Sequence, residues 1–174
     1  MIIIAFVVAI MVIGLLGLAA TRPDTLSIQR VTEIKAPPER IFALINDFHH
    51  WPRWAPQDRM DATMQRTFSG PADGLGARSD WVSQGQAGSG SMEVIESTAP
   101  RQITVRVRFI KPFAALNTNQ FTLEPMPEMT RVIWTMHGTN PYIAKVLSLF
   151  LNMDRMLGKH FEAGLQSLKE LAET

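Results

Sequence analysis

The sequence contains no cysteine among its 174 residues. Disulfide frameworks and thiolate metal sites are therefore excluded, and cysteine usage gives no indication of the redox compartment. Excess charge is also missing, because 17 basic side chains face 16 acidic ones and the formal net charge is +1. This balance gives no general electrostatic reason to expect nucleic acid or an anionic surface as a partner.

Charged side chains are absent from the first twenty positions. Residues 2–20 contain no charged or strongly polar side chain, and as a helix they would extend about 28 Å, close to the ~30 Å hydrocarbon core of a bilayer. No lysine or arginine precedes the run, and it is longer than the core of a usual signal peptide, although Ala19 and Ala20 resemble a cleavage site. The sequence predicts an N-terminal transmembrane helix over 1–21, with a cleaved signal peptide as the alternative.

The charges after this helix predict its orientation. Arg22, Arg30 and Lys35 follow it, whereas only the terminal amine precedes it. The positive-inside rule then places the remainder in the cytoplasm. We therefore expect a single-pass membrane protein held through residues 2–20, with a linker over 22–25 and one ligand-binding domain over 26–174.

The domain begins with a predicted strand and a short helix. Residues 26–35 favour a strand, Pro38 suits the first helical position, and apolar residues recur at helical spacing from Ile41 to Phe48. Alternating apolar and polar residues, separated by turn-forming clusters, predict six more strands: 64–69, 78–83, 90–98, 102–110, 116–124 and 129–138. Consecutive strands joined by short turns predict an antiparallel sheet.

The chain ends in a predicted amphipathic helix, and residues 142–151 favour a preceding helix or lid. The apolar arc of the long helix comprises Met153, Met156, Leu157, Phe161, Gly164, Leu165, Leu168 and Leu171. The predicted class is α+β, a curved sheet of about seven strands around the C-terminal helix. The gap between sheet and helix is the natural ligand site.

Two motifs that suggest chemistry have simpler structural interpretations. His49 and His50 are adjacent, so their side chains point apart and do not readily chelate one metal; the nearby Trp51 and Trp54 are interpreted as bulky residues that close one end of the fold. The glycine-rich segment 85–90 precedes a strand pattern instead of a helix, so it predicts a hairpin turn and not a phosphate site. We expect no metal and no cofactor.

Five stretches of the domain carry a family resemblance: "APPERIFALINDFHHWPRW", "RTFSGPADGLGA", "FTLEP", "TRVIWTMHGTNP" and "NMDRMLGKHFEAGLQSLK". The first four resemble segments of the SRPBCC superfamily, and within it of the START-like, polyketide cyclase/dehydrase-like bacterial proteins, and the fifth is similar to their C-terminal helix. The resemblance covers about 26–172 and leaves the N-terminal helix outside. It implies a helix-grip fold with a deep, largely apolar cavity, and it implies ligand binding more securely than any reaction.

Polar candidates inside this cavity are few. His160 falls within the apolar arc and would face the cavity, either as a core histidine bonded to a strand, as a ligand contact or as a proton shuttle. Asn119 shares the face of Phe121, and Gly164 allows either close helix packing or room for a ligand. The predicted ligand-binding residues are Trp81, Met92, Val94, Val105, Val107, Phe109, Asn119, Phe121, Leu123, Trp134, Met136, Met153, Met156, Leu157, His160, Phe161 and Gly164; none is assigned a catalytic role.

The sequence therefore favours a membrane-anchored binding or carrier domain for a hydrophobic small molecule of lipid, quinone or polyketide type. One alternative is a cyclase or dehydratase that uses His160, and another is a protein-interaction scaffold at the membrane. No nucleic-acid partner is expected, because no segment interleaves basic and aromatic residues.

Overall fold

Seven antiparallel strands and a long C-terminal helix form the body of the structure. It is a computed structural model that describes residues 2–56, 61, 63–85, 87–111 and 114–174. The side chains of 2, 3, 5, 8 and 153 also lie outside the description. The elements are α1 (Ile2–Ala20), β1 (Thr25–Ile34), α2 (Pro38–Asn46), a 3₁₀ helix (Phe48–Arg53), β2 (Gln65–Ser69), β3 (Arg78–Val82), β4 (Ser89–Thr98), β5 (Gln102–Lys111), β6 (Ala115–Pro125), β7 (Thr130–Thr139), α3 (Tyr142–Leu147) and α4 (Met153–Glu173).

The strands pair in the order β1-β7-β6-β5-β4-β3-β2, and every neighbouring pair is antiparallel. The predicted seven-stranded antiparallel sheet is confirmed, and each predicted strand end differs from the observed one by at most one residue. Period-2 alternation explains this accuracy, because one face of each strand is buried and the turns between strands are marked by glycine and proline.

The sheet has two different ends. At one end β1 begins and β7 ends, as shown by the pairing of Thr25 with Thr139, and β5 leads into β6 through the pair Phe109 and Ala115. We call this the open end. At the opposite, closed end, the Thr130 hydroxyl donates a hydrogen bond of 2.8 Å to the carbonyl of Ala36, just before α2. Helix α2 packs against α4, β5 and β6, so it covers the closed end.

The segment between α2 and β2 closes the fold with two indoles. The Asp47 carboxylate accepts a hydrogen bond from the backbone N–H of His49, at 2.8 Å, and caps the 3₁₀ helix. Trp51 and Trp54 are fully buried, and each indole N–H donates to a carbonyl of α2, at 2.8 Å for Ile45 and 3.1 Å for Leu44. The prediction that the tryptophans plug the fold is confirmed.

Helix α4 lies against β1 through ion pairs along its length. The Arg30 guanidinium, on β1, bonds Asp154 at 3.1 Å and Glu162 at 2.7 Å. The Lys169 ammonium donates to the carbonyl of Glu33 at 2.8 Å. These contacts orient α4 parallel to β1, so the helix begins at the open end and finishes near α2.

Helix α1 lies beside α3 at the open end, where the Tyr142 hydroxyl donates to the carbonyl of Leu16 at 2.8 Å. The predicted helix over 2–20 is thus present. Its predicted role as a transmembrane helix is not supported: within the described ranges, no helix has the length and apolar character needed to cross a membrane.

Candidate functional site

A cavity of about 410 Å³ lies between the sheet and the N-terminal half of α4, towards the open end. Its volume falls within the range of small-molecule sites, roughly 300–1,000 Å³. The gap that the sequence predicts between sheet and helix is therefore present. Its walls are formed by Trp51, Arg66, Trp81, Ala87, Met92, Val107, Phe109, Lys111, Ala115, Asn117, Asn119, Trp134, Met136, Leu157 and Phe161.

Aromatic rings make the inner wall rigid. Trp134 stacks on Phe161 of α4 with centroids 4.2 Å apart and planes within 3°, and Phe121 packs on the same indole at 4.9 Å. Trp54 contacts both Phe121 and Trp134 edge to face. Aromatic pairs in such geometry add about 0.5–1.5 kcal/mol each beyond the buried area, so the wall is preformed instead of assembled around a ligand.

Asn119 is the best-defined polar group of the wall. Its Oδ1 accepts a hydrogen bond of 2.9 Å from the Trp134 indole N–H, and an indole nitrogen only donates, so the amide orientation is fixed. No described side-chain nitrogen or oxygen is both buried and unbonded, and the Asn119 amide nitrogen has no protein acceptor among the described residues. That nitrogen is therefore accessible from the cavity and offers N–H groups to a ligand oxygen.

Nine of the predicted ligand-binding residues line this cavity, namely Trp81, Met92, Val107, Phe109, Asn119, Trp134, Met136, Leu157 and Phe161. Four others are fully buried in the core without lining it: Val94, Val105, Phe121 and Leu123. They are excluded because Trp51, Trp54 and α2 fill the space over that part of the sheet. The side chain of Met153 lies outside the described residues.

The prediction that His160 and Met156 face the cavity is wrong. Both are exposed, Met156 by 46%. The buried stripe of α4 runs through Phe161, Leu165 and Leu168. At about 100° per residue, His160 is turned roughly 100° away from Phe161, so it has no access to a bound molecule.

Gly164 and Gly158 both allow α4 to approach its neighbours closely. A Cβ at Gly164 would lie 3.0 Å from ring atoms of Pro56 and Trp134, whereas a Cβ at Gly158 would displace the guanidinium of Arg30. Close packing, and not room for a ligand, explains Gly164.

These two glycines allow a matched test of helix packing. We expect Gly164→Ala to lower the free energy of unfolding by about 1 kcal/mol, because overpacking two rigid rings costs about 1–3 kcal/mol and helix propensity returns only ~1 kcal/mol. Gly158→Ala should cost less, because the end of a flexible arginine side chain shifts more easily than two rigid rings, and the ion pairs that this shift weakens contribute little at the surface. Urea denaturation of both variants measures the difference, and equal effects would contradict it.

Six residues of the cavity wall were not predicted from the sequence: Trp51, Arg66, Ala87, Lys111, Ala115 and Asn117. Asn117 lies two positions before Asn119 on β6, so period-2 counting was sufficient to find it. Lys111 likewise continues the face of Val107 and Phe109 on β5, whereas nothing in the sequence pattern brings Arg66 to the cavity, since its position depends on how the sheet curves. They are the only charged residues among the described lining residues.

Asp61 stabilises one side of the cavity through hydrogen bonds that we call the Asp61 clamp. Its carboxylate accepts hydrogen bonds from the hydroxyls of Ser83 and Thr63, the latter at 2.6 Å. The turn after Ser83 contains Ala87, whose carbonyl accepts the Trp81 indole N–H at 3.1 Å. The bonds from Ser83 and then Thr63 lower the pKa of Asp61 to about 2.

This clamp predicts a pH dependence of stability. The pKa of Asp61 is lower in the folded chain than the ~3.9 of an unfolded aspartate, so its contribution is full above about pH 4 and is lost as the pH falls through about 2. Asp61→Asn should therefore lower the Tm at neutral pH, and the deficit should shrink between about pH 4 and 2. Circular dichroism melts measure it, and a deficit that is constant with pH would contradict the clamp.

The fold and the cavity agree with a comparison against protein-family models. Residues 25–173 match the family described as "Polyketide cyclase / dehydrase and lipid transport". The chain belongs to this family. The resemblance to the SRPBCC superfamily is thereby confirmed for the domain, while α1 lies outside the matched range.

Solved structures share this fold at low sequence identity. A protein from Thermobifida fusca, solved by NMR in solution, is 17% identical with a TM-score of 0.64, over 84% of this chain and 92% of that one. Protein CV1439 from Chromobacterium violaceum is 17% identical with a TM-score of 0.60, over 87% and 99%. The di-domain ARO/CYC StfQ from the steffimycin biosynthetic pathway is 11% identical with a TM-score of 0.64, over 86% of this chain and 51% of that one. Among curated protein sequences, none matches this chain.

Proposed function

We propose that the domain binds and shelters one hydrophobic small molecule of lipid, quinone or polyketide type, without transforming it. The observation that carries this proposal is the preformed cavity of about 410 Å³, in which aromatic and aliphatic side chains surround a few fixed polar groups. Transfer of an apolar ligand from water into such a space is favoured by roughly 25 cal/mol per Å² of apolar surface removed. The Asn119 N–H groups would orient one ligand oxygen.

The described lining residues include no carboxylate–imidazole pair for acid–base chemistry, which favours binding over catalysis. General acid–base chemistry needs a titratable group within hydrogen-bond reach of the reacting atoms. Neither a carboxylate nor an imidazole is among the described lining residues, and His160 is exposed. A reaction that uses His160 as proton shuttle is therefore not part of the proposal.

A cyclase-type role is the second candidate. The family description covers cyclases and dehydrases as well as lipid transport, and the likeness to the ARO/CYC structures is a likeness of fold. The specific observation in its favour is Arg66, which bonds the Ser79 hydroxyl at 2.8 Å and lies on the cavity wall. A fixed guanidinium there would stabilise negative charge on a carbonyl oxygen of a bound polyketide.

We also propose that the protein works at a membrane. Helix α1 exposes large apolar side chains, among them Ile4, Phe6 and Ile13, and exposed apolar surface of this extent marks contact with a membrane or a partner. A domain held beside a bilayer meets bilayer-dissolved ligands at high local concentration. The cytoplasmic side remains a prediction from the charges that follow α1.

Native mass spectrometry of the full chain, extracted in detergent, tests the binding proposal. We expect a co-purified apolar molecule that is displaced by a fluorescent fatty acid. Recovery of the ligand unchanged after incubation supports a carrier, whereas conversion to a product that has lost water supports the cyclase or dehydratase. A protein that is empty and that binds no apolar probe would overturn both.

A further inference from the structure

We infer that the open end of the domain rests on a lipid bilayer, with the mouth of the cavity facing the lipid, so that an apolar ligand passes between bilayer and cavity without crossing water. This inference concerns the surface of the domain itself, beyond α1. It rests on the proposed binding of an apolar ligand.

Large exposed apolar side chains are concentrated at the open end. Three come from the ends of strands beside the cavity: Val82 of β3, Ile110 of β5 and Leu116 of β6. Ile143 of α3 is 68% exposed and Phe150, in the connection to α4, is 69% exposed. We call these five residues the apolar rim. These side chains come from three separate segments, namely β3, the β5–β6 hairpin and residues 143–150, so their common location indicates one contact surface.

The apolar rim and part of the cavity wall share the open end of the sheet. Lining residues Lys111 and Ala115 alternate with Ile110 and Leu116 where β5 ends and β6 begins, so Ile110 and Leu116 point to the outer face of the sheet at this end. Lining residue Leu157 lies in the first turns of α4, whose N-terminus is also at the open end. A ligand that passes through the open end therefore moves past the edge of the sheet that carries the apolar rim.

Basic side chains accompany the apolar rim and complement phosphate headgroups. Arg22 lines a surface depression of about 430 Å³ together with Phe150 and Leu151. Lys111 stands at the cavity entrance, and both cations are exposed. In the part of the chain that the structure describes, no carboxylate is paired with either. Long basic side chains beside apolar ones are typical of a surface that inserts apolar groups below anionic headgroups.

A bilayer fits this surface better than a protein partner. Helix α1 joins the same end through the hydrogen bond between Tyr142 and the carbonyl of Leu16, so its exposed apolar side chains and the apolar rim lie on one side of the molecule. A protein seated over the open end would cover that end of the cavity and block the exchange of ligand. A fluid bilayer covers the same surface and also supplies the ligand.

The lack of cysteine makes a direct test simple, because one introduced cysteine carries the only label. We would label Ile110→Cys and Phe150→Cys with an environment-sensitive fluorophore in the full chain. Leu75→Cys is the matched control, because Leu75 is 66% exposed but lies between β2 and β3 at the closed end. Ile10→Cys reports on α1. The probes are vesicles of phosphatidylcholine with and without phosphatidylglycerol, some carrying spin-labelled acyl chains.

We expect fluorescence at positions 110 and 150 to shift to the blue and to be quenched by the spin-labelled chains, with no change at position 75. Phosphatidylglycerol should strengthen binding and salt should weaken it. Phe150→Ser should reduce partitioning about tenfold, the effect of removing one buried aromatic side chain from the lipid contact, whereas Leu75→Ser should not.

Response at position 10 without response at 110 and 150 would overturn this inference while leaving membrane association through α1 intact. The same response at position 75 as at 150, or no vesicle binding at all, would also overturn it. Titration of the cavity with a fluorescent fatty acid in detergent is measured separately, so failure of the proposed ligand binding is distinguished from failure of the bilayer contact. Cross-linking of two chains through a cysteine at position 150 would also overturn the inference, because it would identify a second copy of the chain, and not the bilayer, as the partner of this surface.

Discussion

Replacing Leu157 with tryptophan is expected to lower the affinity for an apolar ligand by at least about tenfold, or ~1.4 kcal/mol. Leu157 projects from α4 onto the wall of a cavity of about 410 Å³, and the larger indole would occupy part of the space that a ligand needs. Stability should change little, because the added volume enters open space and not a packed core. Titration with a fluorescent fatty acid measures the affinity, and a urea melt measures the stability.

The matched control is Met156→Trp, one position earlier on the same helix. Met156 is 46% exposed and does not line the cavity, so an indole there places the same side chain on α4 without filling the site. We expect its affinity to equal that of the unchanged protein. Equal affinities for Leu157→Trp and Met156→Trp would contradict the assignment of the cavity as the binding site.

Replacing Trp54 with alanine is expected to lower the free energy of unfolding by about 3–5 kcal/mol, the usual cost of truncating a buried aromatic residue. Trp54 has 0% exposure and contacts the rings of Trp51, Phe121 and Trp134. Its indole N–H also satisfies the carbonyl of Leu44, which would lose its partner. A domain of this size is stable by roughly 5–15 kcal/mol, so the loss should be large in a urea melt.

His50→Ala provides the comparison from the same short segment. The His50 side chain is 39% exposed, and its nearest acidic contact is Asp47 at 3.7 Å, so its removal should change the free energy of unfolding by less than about 0.5 kcal/mol. If the histidine substitution instead proved the more damaging of the two, the segment would not act as a plug.

The strands and the plug were predicted correctly because their signals are local. In β5, Ile103, Val105 and Val107 alternate with polar residues, and a pleated strand must place that set on one face. The helix preceding the 3₁₀ turn begins at Pro38 because proline fits there and almost nowhere else in a helix. Each of these features depends only on residues that are close in the sequence, so it can be predicted from one sequence.

The rotation of α4 was not predicted correctly because its apolar arc is wide. Met156, His160 and Gly164 extend the arc on one side. The sequence does not show whether that side or the part centred on Phe161 faces the sheet. The contact with β1 decides the matter: Arg30 fits over Gly158 and bonds acidic residues on either side of it. With α4 held in this way, His160 is directed into solvent.

Local patterns in the amino-acid order account for the number and order of the strands, the antiparallel pairing, the terminal helix and the burial of the two tryptophans, because alternation, turn residues and helical spacing act over a few positions. The part of the space under the helix that stays open follows only from the packing of the folded chain. That outcome depends on how far the indoles of Trp51 and Trp54 reach from one end and how α4 is turned on β1. Both depend on how side chains from segments distant in the chain pack against one another, and no local sequence pattern contains that information.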